Sequence, residues 1–133
     1  PSMAKLAYDL VSPERKVASG EADAIRIPGA EGDLTAMPEH SPFLTSLRPG
    51  VVTVKDGGAS TGYVVTGGFA EISPAGASVL AEEAIPATEA SAEWFDAKIA
   101  LAEKAHEIAA GEAKIIAAQV VSDFRFLKQT LGF

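Results

Sequence analysis

The imidazoles able to do acid–base or metal chemistry near neutral pH in this chain are few and dispersed. His40 and His106 are the only imidazoles, and cysteine is absent, which excludes thiolate nucleophiles, disulfides and cysteine zinc sites. A metal centre needs several converging ligands, yet neither His-x-His nor His-Glu-x-x-His occurs. Glu39-His40 is one adjacent pair in a proline-rich turn, short of the ligand cluster of a cupin-like centre. His106 lies on an alanine-rich segment between Glu103 and Glu107 and reads as a partly exposed surface residue. Serine catalysis lacks its Gly-x-Ser-x-Gly elbow. Gly67-Gly68 has no P-loop pattern and no helix start behind it to hold a phosphate; a bulge or a close backbone approach within a sheet is the expectation there. In Glu31-Gly32-Asp33, glycine turns the chain, and on composition alone the carboxylates are solvated. No catalytic residue and no metal ligand are expected.

The elements around these residues fall into two regions. Residues 3–86 hold short runs rich in Val, Ile, Leu, Thr and Tyr, alternating with polar residues and bounded by Gly, Pro, Asp and Ser. Ile25 and Ile27 share one strand face with Arg26 on the other, and Asp56-Gly57-Gly58 between Val51–Lys55 and Thr61–Thr66 signals a hairpin. The expected fold is an antiparallel β-sandwich or flattened barrel. Phe43, Leu44 and Leu47 are read as its core, with exposed anchors for a partner as the alternative. Pro42, Pro49 and Gly50 set the shape of their loop.

From residue 87 to 133 the period becomes helical. Trp94, Lys98, Leu101, Ala105 and Ile108 form one stripe and Ile116, Val120, Phe124, Leu127 and Leu131 a second, with Gly111 as the break. A short connection between two amphipathic helices implies an antiparallel helical hairpin. With many alanines and few large anchors, it is expected to be the more mobile region.

Composition narrows the function further. A net charge of −7 over 133 residues argues against nucleic-acid binding and against adsorption to anionic lipid. No apolar run approaches the roughly 18 residues of a membrane span, so direct membrane insertion is not expected. Pro1-Ser2 read as a cleavage remnant ahead of a natural start at Met3, with no targeting segment.

Four segments together resemble the ε subunit of bacterial F-type ATP synthases, homologous to the mitochondrial δ subunit. They are Pro38-Glu39-His40-Ser41-Pro42-Phe43-Leu44-Thr45-Ser46-Leu47-Arg48-Pro49-Gly50, Gly67-Gly68-Phe69-Ala70-Glu71-Ile72, Gly29-Ala30-Glu31-Gly32-Asp33-Leu34 and Ser78-Val79-Leu80-Ala81-Glu82. The resemblance implies a non-catalytic central-stalk rotor subunit that couples the γ shaft to the c-ring and proton translocation. It implies peripheral attachment at the cytoplasmic face of the bacterial inner membrane. It carries Glu31, Asp33 and His40 over as c-ring contacts, where an acidic, hydrogen-bonding surface suits basic and amide groups on the ring's loops. Ser12 and Thr45 correspond to γ contacts, and the C-terminal helices to a contact with the α/β catalytic head.

Two departures bear on regulation. Relatives that bind ATP carry an apolar residue, Asp, two variable residues and Arg-Ala on the first helix. Here Phe95-Asp96-Ala97-Lys98-Ile99-Ala100 places Ile99 where the arginine stands, which argues against an ATP site and leaves Asp96 as a solvated helix charge. Relatives that inhibit hydrolysis use basic residues on the second helix, whereas residues 113–133 hold only Lys114, Arg125 and Lys128. A weakened brake is expected. The alternative from another class is a small ligand-binding β-sandwich module with a helical dimerisation tail. Only Tyr8, Tyr63 and Trp94 supply Tyr or Trp for an aromatic-lined face.

Overall fold

The computed structural model describes residues 4–133. Pro1, Ser2 and Met3, on which the reading of a remnant and a natural start falls, lie outside the described residues. The chain forms two compact units that divide between Thr88 and Glu89.

The first unit is a ten-stranded, nearly closed β-sandwich. Its strands are β1 (Leu6–Ser12), β2 (Arg15–Ala22), β3 (Ala24–Gly29), β4 (Gly32–Ala36), β5 (Phe43–Leu47), β6 (Gly50–Asp56), β7 (Ala59–Val65), β8 (Gly68–Ser73), β9 (Gly76–Ala81) and β10 (Ala84–Pro86). They are hydrogen-bonded in the order β10-β7-β6-β3-β5-β8-β9-β1-β2, with β4 on the remaining edge of β3. The pairs are antiparallel except β1 with β9, which run parallel from Ala7↔Gly76 to Val11↔Leu80. That pair ties the first strand to the ninth, a long-range closure that hairpin signals do not reveal. The Asp56-Gly57-Gly58 hairpin forms as its sequence requires. Gly57 and Gly58 both take positive φ, 58° and 88°, the combination a two-residue hairpin turn needs to match strand twist.

The sheet turns a corner between β3 and β5. Only Gly29↔Leu47 pairs there, reinforced by Arg48 N–H to Pro28 O at 3.0 Å and Ala30 N–H to Ser46 O at 2.8 Å. A Cβ on Gly29 would sit 2.7 Å from Gly32 O, and one on Gly50 would sit 2.6 Å from Pro28 Cβ. Gly29 is thus packed against the facing strand of its own hairpin, and Gly50 against the Pro28 ring.

Alternation fills the interior as expected: Ile25 and Ile27 are buried while Arg26 is exposed. Leu6, Leu10, Val52, Ile72 and Val79 complete much of the core, each contributing ~1.5–3 kcal/mol by leaving water. Of the three residues read as core in β5, only Leu47 is buried. Leu44 is 66% exposed because alternation turns it outward, and Phe43, 47% exposed, sits at the strand's open start. Both exposed side chains fit the alternative reading of surface anchors.

The second unit holds α1 (Ala92–Ile108) and α2 (Glu112–Thr130). Ser91 caps α1, its Oγ accepting from Trp94 N–H at 3.1 Å, and Gly111, φ 61°, breaks the helix before α2. The α1 stripe read from the sequence is one position out of register. Phe95 and Ala102 are buried, whereas Leu101 and Ile108 are 66% and 79% exposed. Short alanine-rich windows give nearly equal apolar stripes on adjacent faces, so spacing alone did not choose. In α2, Phe124 and Leu127 are buried as expected, joined by Val121, while Ile116 is exposed.

Gly68 carries the clearest steric demand. Its φ is 126°, and a Cβ there would collide with the Leu80 carbonyl on the neighbouring strand. Gly68→Ala is therefore expected to lower the unfolding free energy by ~3 kcal/mol or more in urea titrations. Gly57→Ala faces open space and strains only φ, a loss of about 1 kcal/mol.

Candidate functional site

The β3–β4 turn sits on the corner. Gly29 and Gly32 pair at its base, leaving Ala30 and Glu31 at the tip. Asp33, the next residue on β4, is clasped by two arginines. Arg26 Nη2 donates to Asp33 Oδ2 at 2.7 Å, and Arg48 Nη2 donates to Asp33 Oδ1. Arg48 also donates from Nη1 to the Gly29 carbonyl. Partial burial would raise the Asp33 carboxyl, but the hydrogen bonds from Arg26 and Arg48 outweigh it and hold the group below the ordinary aspartate range. The surface here is consequently not a bare acidic patch, since two guanidinium groups surround one carboxylate.

Glu31 is exposed and takes part in no hydrogen bond or ion pair among the described residues. His40 lies in the segment after β4, on a turn closed by His40 N–H to Met37 O at 3.1 Å. Pro38 and Glu39 are its central residues. Glu39 has φ 64°, a left-handed conformation that costs a non-glycine residue about 1 kcal/mol. His40 Nδ1–H donates to the Ser41 carbonyl at 2.6 Å, so the proton resides on Nδ1 and Nε2 is left for a partner. The described contacts of Asp33 reach Arg26 and Arg48, not His40.

On the outer face of β5, β8, β9 and β1, registry lines up two rows. One reads Ser46–Phe69–Leu80–Val11 and the next Leu44–Glu71–Ser78–Asp9. Phe69 and Leu80 are 56% and 54% exposed. Ser12 borders a shallow groove with Val11, Pro13, Phe69, Leu80 and Glu82. Thr45 is half-buried, its Oγ1 donating to Ser46 O at 3.0 Å. By strand alternation Ser12 has the parity of buried Leu10 and Thr45 that of buried Leu47, so both sit at inward-facing positions of their strands.

In the helical hairpin, Asp96 accepts from Lys128 Nζ at 2.7 Å. Arg125 pairs with Glu103, and Lys114 Nζ donates to the His106 carbonyl at 2.8 Å. Each of the three basic residues of α2 is thus engaged with α1. Among the described residues no His/Asp/Glu group is arranged to hold a metal ion, and no helix is long and apolar enough to cross a membrane.

Sequence reasoning missed Arg26 and Arg48. Arg26 was within reach, because Pro28 pairs with Asp33 and the residue two before it lies diagonally across the hairpin. Arg48 arrives from the far side of the corner, which no local pattern marks.

An exposed apolar row beside a rigid, charged turn is the equipment of a protein that works through its surface. Comparison with known proteins agrees. The sequence model of the ATP synthase delta/epsilon chain β-sandwich domain matches residues 5–87. The ATP synthase epsilon chain of Fuscovulum blasticum is 47% identical over 130 residues, 98% of each chain. That of Caulobacter vibrioides is 51% identical over 85 residues, 64% of this chain and 99% of the relative. In fold, the chain resembles one in the Euglena gracilis mitochondrial ATP synthase, with a TM-score of 0.74 at 22% identity, covering 97% of this chain and 82% of that one. The chain belongs to the ATP synthase delta/epsilon-chain family.

The clasp gives a pH dependence with a definite sign. A depressed aspartate stabilises the fold above its ordinary value of about 3.9, and this contribution is lost as pH falls below that value toward the folded one. Unfolding of Asp33→Asn compared with the unsubstituted chain should show a stability deficit at pH ~6 that narrows below pH ~4.

Proposed function

We propose that this chain is the non-catalytic central-stalk subunit of an F-type ATP synthase, coupling rotation of γ to the c-ring and proton translocation. The observation that carries the proposal is the apolar Val11–Leu80–Phe69 row, with Phe69 and Leu80 exposed and Val11 half-buried, in a chain of this family. A soluble monomer gains nothing from presenting such a row, and a partner surface would cover it. In this reading γ covers the row and the Ser12 groove beside it, with Thr45 reached through the neighbouring strand. The c-ring meets the end that carries Glu31, Asp33 and His40. Close packing at the corner suits torque transmission, because a close-packed interior deforms little under load. Attachment to the cytoplasmic face of a bacterial inner membrane then runs through these partners. The ligand-binding alternative loses its support to the family match.

The helical hairpin is assigned an accessory role. The Caulobacter relative matches over almost its whole length in 85 residues, enough for a sandwich but not for both units. Capture of the α/β head by α2 would have to break the contacts of Lys114, Arg125 and Lys128 with α1. ATP would have to compete with Lys128 for Asp96, without an arginine at Ile99.

Three outcomes follow. The purified chain binds a γ–c-ring assembly at micromolar concentration, and Phe69→Ala weakens that binding ~10-fold or more, as loss of a central aromatic anchor does. Absence of binding by the unsubstituted chain would refute the assignment. Calorimetric titration with Mg-ATP gives no saturable heat up to millimolar nucleotide. Removal of residues 89–133 leaves the ATP hydrolysis rate of the reconstituted complex within about twofold.

A further inference from the structure

We infer that Gly132 and Phe133 form a latch that keeps the helical hairpin closed, with Phe95 as its catch. The inference concerns the free chain and does not depend on the central-stalk reading. Gly132 takes φ 82°. The Phe133 amide donates to the Lys128 carbonyl and the Gly132 amide to the Gln129 carbonyl, both at 3.1 Å. That pair of bonds, with a left-handed glycine between, is the cap that reverses a chain as it leaves a helix. It turns Phe133 back toward α1, where its ring centre lies 5.7 Å from that of Phe95, tilted by 35°. Phe95 also meets Trp94 edge-on at 5.0 Å, and Lys98 Nζ stands 5.3 Å from the Trp94 ring centre. Trp94, Phe95 and Phe133 thus join the first turn of α1 to the residues that follow α2.

Position gives this contact its leverage. The two helices are tied through residues 109–111, so they can part only from the opposite end, where Phe95 and Phe133 meet. From that end inward come Asp96 with Lys128, Glu103 with Arg125, and the bond from Lys114 to the His106 carbonyl. Asp96 is 61% exposed on its side chain, and an ion pair so open to water holds little. Phe95 is 0% exposed, so the aromatic contact rather than the ion pair fastens the free end. Phe133 keeps 45% exposure and can leave without opening a sealed cavity. Release has consequences along the whole hairpin. Lys114, Arg125 and Lys128 lose their α1 partners together, and the Val121, Phe124 and Leu127 face is bared. The latch therefore decides whether α2 presents these groups at all.

Distance measurements between spin labels test it on the full chain. The sequence has no cysteine, so Glu93→Cys and Gln129→Cys, at exposed positions on the first turn of α1 and the last turn of α2, label cleanly. This parent gives one short, narrow distribution. Adding Phe133→Ala populates a second, longer distance roughly fivefold or more above its level in the parent. Gly132→Val does the same by opposing the left-handed cap, although a Cβ there meets no neighbour within 4 Å. Phe133→Tyr, which keeps the ring, retains the parent distribution. Lys128→Ala opens the hairpin less than Phe133→Ala does, and circular dichroism shows the helices intact in every variant. An unchanged distribution in Phe133→Ala, a larger opening in Lys128→Ala, or loss of helical signal in place of a longer distance would overturn the inference.

Discussion

The rest of the sandwich depends on one corner, where β3 and β5 share a single residue pair. At Gly29↔Leu47 the hydrogen-bonded path passes from one layer to the other. Packing is so close that neither Gly29, against the Gly32 carbonyl, nor Gly50, against the Pro28 ring, has room for a Cβ. Pro28, Gly29, Leu47, Pro49 and Gly50 are all buried there. Such a junction is stiff, because bending it would compress atoms already in contact. The turn that carries Glu31 grows directly from this point, and the Asp33 clasp fastens it to both layers. A load applied at the tip therefore passes into the whole sandwich rather than into a loose loop.

The helical unit follows a different logic. Its apolar layer is thin, with Phe95, Ala102, Val121, Phe124 and Leu127 as its buried residues. Around that layer the polar contacts run between helices, from Asp96 to Lys128, Glu103 to Arg125 and His106 to Lys114. Exposed pairs of this kind contribute little each. Together they fix the register of two alanine-rich helices that apolar packing alone would leave free to slide. They also occupy the cations that an acidic partner would need.

Much of this was legible in the residues. Period-two alternation put Ile25 and Ile27 on one strand face, the buried one, and Gly57-Gly58 announced its hairpin because few other sequences take two consecutive positive φ angles. Gly67-Gly68 read as a close approach, and Gly68 does meet the Leu80 carbonyl. What stayed hidden is long-range. The parallel β1–β9 pair joins strands separated by most of the domain, and Arg48 reaches Asp33 only because the corner folds it there. The α1 face was misplaced by one residue because alanine leaves neighbouring stripes nearly equal in hydrophobicity. Among the candidate site residues, family motifs marked Asp33 and His40, but the ion pairs that define what Asp33 can do depend on tertiary geometry.

Mechanical coupling without chemistry of its own is the central claim, and ATP-driven proton pumping tests it most directly. Membrane vesicles bearing the synthase would be stripped of this chain and then given it back, with hydrolysis and pumping followed together. The account predicts that the stripped enzyme still hydrolyses ATP but acidifies the vesicles poorly, and that the returned chain restores pumping. Full pumping by the stripped enzyme would contradict it.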